Sequence, residues 1–158
     1  MIKNVILDTK IFVLFIIGTI DKEYICKFLK TKEFSKKDYG LIMEKISIFN
    51  RIVITPHILT EFSHLTIEQK SFRDDYKKII KQFLIQLQKN NLQEINISIQ
   101  QIALNNGIYY LGVADVSLME LCDDESAIIT SDGPLADRLR MENKNVFKFI
   151  PTEGFVNY

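Results

Sequence analysis

Four acidic side chains, Asp8, Glu61, Asp115 and Asp132, each stand at or just beyond the end of an apolar, strand-like run. In an open parallel sheet the carboxyl ends of the strands share one edge, where loops and helix starts form a crevice for ligands. Carboxylates gathered there repel one another unless a cation lies among them. Magnesium and manganese are hard ions that take oxygen ligands and keep several waters, so a ring of carboxylates is the protein half of such a centre. The pattern predicts a metal-binding nuclease site.

Helical periodicity sharpens that expectation. Asp115 shares a face with Leu111, Leu118, Met119 and Cys122, at spacings of three, four and seven, and so points with core residues. Glu61 lies on the stripe of Ile58 and Leu65. A lone ionised carboxylate on an apolar face is costly, so each must be protonated, paired or bound to a metal. The plainer alternatives are a carboxylate at the rim of its stripe and, for Asp132 ahead of Pro134, a helix cap. His57 and His64 are seven apart with no third nitrogen or sulfur ligand, which argues against zinc and for structural histidines. Cys26 and Cys122 lack metal-type spacing and read as core residues.

The elements that must position the acids follow from the apolar pattern. Ile2–Leu7, Arg51–Ile54, Glu94–Ile97, Ala127–Thr130 and Val146–Ile150 read as strands. Between them lie apolar segments of helical spacing: Ile11–Ile17, Tyr24–Leu29, Leu41–Phe49, His57–Leu65, Glu68–Lys89, Ile99–Leu104, Val113–Cys122 and Pro134–Met141. Thr55 before Pro56 is a hydroxyl cap followed by proline at the first helical position. Short strands alternating with helices imply right-handed parallel crossovers, hence an α/β fold: a three-layer α/β/α sandwich around a mostly parallel sheet of about five strands. The chain is expected to be a single domain over 1–150, with 151–158 as a loose C-terminal tail marked by Pro151 and Gly154.

With 158 residues, 47% apolar and 25% charged, the composition is that of one globular domain and excludes disorder. The early apolar stretch Ile11–Ile17 is too short to span a bilayer and lacks a basic leader, which predicts a cytoplasmic protein with no membrane partner. Basic and acidic residues balance at 20 each, so a polyanion would have to be held by a local patch. Lys70, Lys77 and Lys81, opposite the apolar stripe of Phe72, Tyr76, Ile79, Ile80, Phe83, Leu84 and Leu87, are either a solvated face or a phosphate-contacting stripe.

Taken in order, these residues resemble the PIN domains, metal-dependent nucleases that include the toxins of the VapBC type. Val5-Ile6-Leu7-Asp8-Thr9 resembles the opening strand and first acid, and Thr55-Pro56-His57-Ile58-Leu59-Thr60-Glu61-Phe62 the helix with the second. Gly112-Val113-Ala114-Asp115 resembles the third, and Ile128-Ile129-Thr130-Ser131-Asp132-Gly133-Pro134-Leu135 the fourth. The resemblance covers nearly the whole chain. It implies hydrolysis of RNA phosphodiesters with Mg2+ or Mn2+, Asp8 and Asp115 as direct ligands, Asp132 as second ligand or water holder, and Glu61 as ligand or water-orienting base. Thr130 and Ser131 would contact phosphate, orient a carboxylate, or simply serve the turn. It further implies a small antitoxin protein and a homodimer, for which the apolar region Ile11–Leu29 could supply a surface if it is not core.

Where the family usually has a small polar residue two positions after the first acid, this chain has Lys10. Lys10 could be an internal counterion, a contact for substrate phosphate, or a solvent-facing amine. A phosphoacceptor receiver domain would need paired acids after the first strand and a lysine after the last, and a haloacid dehalogenase-type phosphatase would need an Asp at position 10; both patterns fail. The remaining rival is a catalytically inactive PIN-like module that binds RNA or protein.

Overall fold

Val5, Ile6 and Leu7, three of the four residues of the first strand, are fully buried, as a strand covered on both faces requires. The computed structural model describes residues 2–67, 73–89 and 92–156. Its strands are β1 (Asn4–Leu7), β2 (Arg51–Ile54), β3 (Leu92–Glu94), β4 (Ser126–Thr130), β5 (Val146–Ile150) and β6 (Gly154–Val156). They form one sheet in the order β3-β2-β1-β4-β5-β6, parallel throughout except for the β5–β6 pair. The helices flanking it are α1 (Thr9–Ile20), α2 (Lys36–Ser47), α3 (Pro56–Ile67), α4 (Arg73–Gln88), α5 (Ile99–Leu104), α6 (Val113–Leu121) and α7 (Gly133–Met141). The architecture is the expected three-layer α/β/α sandwich.

Helix α1 is buried on every side from Ile11 to Gly18, because it packs against α2, α3 and α4 as well as β1 and β4. Its approach to α2 is so close that a Cβ on Gly18 would meet the Tyr39 ring at 2.3 Å. The apolar stretch that could have served a partner is therefore mostly core, although Leu29 is exposed. Phe12 of α1, Phe62 of α3 and Phe83 of α4 form an aromatic triangle, with centroids 5.1, 6.2 and 5.6 Å apart, that fixes α3 beside α1. Lys70 and Phe72 of the expected lysine stripe and its apolar reverse lie outside the described residues, as do the side chains of Tyr76, Lys77, Ile80 and Leu87; Ile79 is buried, Lys81 and Leu84 exposed.

Several local expectations are corrected. The segment after Pro151 is not a loose tail: Thr152 and Gly154 take positive φ values of 72° and 96°, turning the chain so that β6 pairs antiparallel with β5. The Asp38 carboxylate holds that turn by accepting the Thr152 N–H at 3.1 Å, while the Phe149 and Phe155 rings meet edge to face at 4.9 Å. Asp38 also completes a capping box with Ser35 that starts α2 five residues earlier than its apolar run. The third strand is Leu92–Glu94 rather than Glu94–Ile97, because β2 ends at Ile54, opposite Glu94. Tyr24–Leu29 forms no α-helix; a short 3-10 turn at Lys22–Tyr24 leads into turns held by the buried Thr31 hydroxyl, which donates to Ile25 O at 2.8 Å. Cys26 on that stretch is exposed, whereas Cys122 is buried and its thiol is pushed up to about 11 by burial.

Candidate active site

Strands β1 and β4 lie side by side, yet the chain leaves them in opposite directions across the sheet, toward β2 and β3 from one and toward β5 and β6 from the other. Such a reversal opens a crevice at the carboxyl ends of the two strands. Asp8 follows β1 directly, and Ser131 and Asp132 follow β4. Helix α6 leads back to β4 and so begins at this same edge, carrying Asp115 in its first turn. Glu61 reaches the edge from α3, whose start is secured by Thr55: its hydroxyl accepts the Ile58 N–H at 3.4 Å, as the cap reading expects. Asp8, Glu61, Asp115 and Asp132 line one open cavity of about 280 Å³, together with Thr9, Lys10, Ser131 and Gly133.

Asp8 is buried and caps α1, its Oδ1 accepting the Ile11 N–H at 2.8 Å. Its Oδ2 accepts from the Thr130 hydroxyl and from the Ser131 N–H at 3.1 Å. Burial pushes the Asp8 carboxyl above its usual range, assisted by the charge of Asp132 and opposed by these three donors. Asp132 is both a cap, accepting the Leu135 N–H at 2.8 Å, and an exposed member of the cavity wall. The two roles weighed for it from sequence are thus compatible. Glu61 is exposed on that wall rather than packed inside the apolar face, and its Oε2 accepts from the Thr9 hydroxyl.

Asp115 is half-buried, and its carboxyl is pushed up to about 6 by burial first, then by the charges of Asp132, Asp8 and Glu61, against a hydrogen bond from Gly112. The native state therefore binds more protons than the unfolded chain between the ordinary aspartate range and about pH 6. Metal-free protein should lose stability as pH rises through that window. Urea unfolding from pH 4 to 7 should show the decline, and Asp115→Asn should flatten it; equal slopes in the two proteins would separate Asp115 from the effect.

Thr130 is fully buried and cannot touch a substrate. Its hydroxyl donates to Asp8 and accepts the Asp132 N–H at 2.9 Å, which makes it the link between two acids rather than a phosphate contact. Thr130→Val should cost about 1–3 kcal/mol, because it leaves the Asp132 N–H without its acceptor and removes one of the two donors to Asp8 Oδ2; an unchanged denaturation midpoint would contradict that role. Ser131 contributes its N–H to Asp8 and lines the cavity. Lys10 lines the rim with its ammonium 2.8 Å from Glu33, both side chains nearly half exposed, so Glu33 is its counterion rather than the acids.

Residues missed from sequence are mainly hydroxyls. Thr9 steadies Glu61, and the buried Ser117 hydroxyl meets that of the expected cap Thr55 at 2.8 Å, tying the start of α3 to the turn of α6 that carries Asp115. The only local signal was a hydroxyl beside an acid or two residues beyond it. His64, three residues beyond Glu61, is exposed.

The donor set is four carboxylates without a sulfur or imidazole on the cavity wall, which suits a hard divalent ion. Among the described residues no three Asp, Glu, His or Cys side chains stand close enough together to hold a metal ion as they are.

No protein-family model matches the chain, and no curated protein does. It is similar in structure to a domain of a functionally unknown protein from Methanocaldococcus jannaschii DSM 2661, with 12% identity and a TM-score of 0.50, over 99% of this chain and 97% of that one. At this identity the likeness concerns the fold alone. Among the described residues no helix is long and apolar enough to cross a membrane.

Proposed function

We propose that this is a PIN-like endoribonuclease that hydrolyses RNA phosphodiester bonds with Mg2+ or Mn2+. The observation that carries the proposal is the common cavity of Asp8, Glu61, Asp115 and Asp132 at the β1/β4 reversal. Asp8 and Asp115 would hold the ion, with Asp132 as a further ligand or water holder. A bound divalent ion acidifies its water and offsets charge building on the phosphate. Thr130 and Ser131 fix the Asp8 carboxylate, so little reorganisation is needed when substrate arrives. Glu61, steadied by Thr9 and free of the apolar core, orients the attacking water. Asp115 must lose its proton before it can serve as a ligand, so activity should rise as pH passes about 6.

In the cell we assign it to the cytoplasm, as the toxin of a toxin–antitoxin pair, dimeric and restrained by a small antitoxin. The direct test is incubation of the purified protein with a structured RNA, with manganese and then with chelator. Metal-dependent cleavage that is lost in Asp115→Asn supports the reading. Because the described acids form no closed cage, an inactive RNA-binding module is the second reading, and it would show as RNA bound yet uncleaved under both conditions.

A further inference from the structure

Thr9, Lys10 and Glu61 form a wall shared by two cavities. One side faces the acids; the other is a cavity of about 380 Å³ whose remaining lining is Lys30, His64 and Leu65. The second cavity has the opposite character. Among the described residues that line it, three nitrogen-bearing side chains face one carboxylate, and Leu65 with the aliphatic stems of the two lysines makes the rest largely apolar. Lys30 is half-buried and His64 exposed, and neither side chain makes a hydrogen bond or ion pair with any described residue. Lys10 is held by Glu33 in an exposed pair of the kind that contributes little and yields readily to a better anion.

We infer that this cavity is a subsite for one unpaired nucleotide of single-stranded RNA, adjacent to the phosphate that is hydrolysed at the acids. The inference rests on the nuclease reading for its choice of ligand. A cavity of this volume is in the range of roughly 300–1,000 Å³ that small ligands occupy. Sequence-tolerant recognition of single strands combines cations along the backbone with a ring on which a base stacks, histidine included. Here His64 and Leu65 offer the stacking face, Lys10 and Lys30 the phosphate contacts, and the shared wall makes the two cavities consecutive along one strand. A base held in a duplex cannot enter. The substrate is therefore single-stranded at the position flanking the cut. With Lys plus Arg and Asp plus Glu balanced at 20 each, such a local site is also what a polyanion would need to find this protein.

The chain has two histidines, and His57 lines neither cavity, so it is an internal control. Uridine 5′-monophosphate, titrated into the protein in chelator, should move the imidazole proton signals of His64 and leave those of His57 unchanged. For a labelled single-stranded RNA hexamer in chelator, His64→Ala should raise Kd by roughly 5- to 100-fold, the range of base–aromatic stacking. Lys30→Met should lower the slope of log affinity against log salt by about 0.7, as loss of one phosphate contact on a single strand requires. Lys30→Arg should restore it. A stationary His64 signal, or variants that bind the hexamer like the wild type, would overturn the subsite. If manganese-dependent cleavage is nevertheless present, the subsite alone has failed. If His64 responds to the nucleotide and the wild type cleaves no RNA, the subsite stands and the nuclease reading fails.

Discussion

Asp8→Asn should abolish RNA cleavage while leaving a folded protein. Asparagine keeps an oxygen to accept the Ile11 N–H, so the cap on α1 survives. What is lost is the charge that would hold a cation, together with the acceptor facing Thr130 and Ser131. Charge stabilisation by a catalytic ion amounts to several kcal/mol, so kcat should fall by roughly a hundredfold or more. The fold should be weakened by about 1–3 kcal/mol, since the amide nitrogen turns a donor toward donors. Initial rates on a fluorogenic RNA, alongside urea unfolding of the same preparations, measure both effects. A variant that keeps a tenth of the wild-type rate would remove Asp8 from the ligand set.

Saturating manganese or magnesium should raise the melting temperature by about 5–10 °C. An ion bound only by the native state adds about 2.7 kcal/mol at a hundredfold excess over its dissociation constant. For a chain of this length each kcal/mol is worth roughly 2–4 °C. Burial first, then the charges of Asp132, Asp8 and Glu61, lift the Asp115 carboxyl, and a cation among them relieves the repulsion that disfavours its ionised form. Metal and proton compete for that group, so the shift should be small at pH 5 and full at pH 7.5. Differential scanning calorimetry at both pH values with each ion is the measurement, and a melting temperature indifferent to both ions at pH 7.5 would count decisively against the site.

Much of the scaffold was legible because it is encoded locally. Val5–Leu7 and Ala127–Ile129 are uninterrupted apolar runs, the pattern of strands buried on both faces. Thr55 and Pro56 mark the start of α3 through the backbone geometry of a helix end. The start of α2 has a local mark, the Ser35–Asp38 capping box, which the apolar pattern alone passes over; the pairing of β6 was not legible, since only the folded chain brings Thr152 to the Asp38 carboxylate.

By itself the sequence determined where β1, β2 and β4 end and which acids stand there, because an uninterrupted apolar run and a helical stripe are properties of neighbouring positions. Tertiary structure decided which way those acids face and what surrounds them. Placing β4 beside β1, with β2 and β5 outside them, is what makes the ends following Leu7 and Thr130 adjacent. Burial then divides the roles of groups that look alike in sequence: Thr130, sealed in the sheet, can only hold Asp8, while Lys10, at the rim, reaches Glu33 instead of the acids. Pairing partners and solvent exposure depend on chain segments far apart in sequence, and no local pattern carries that information.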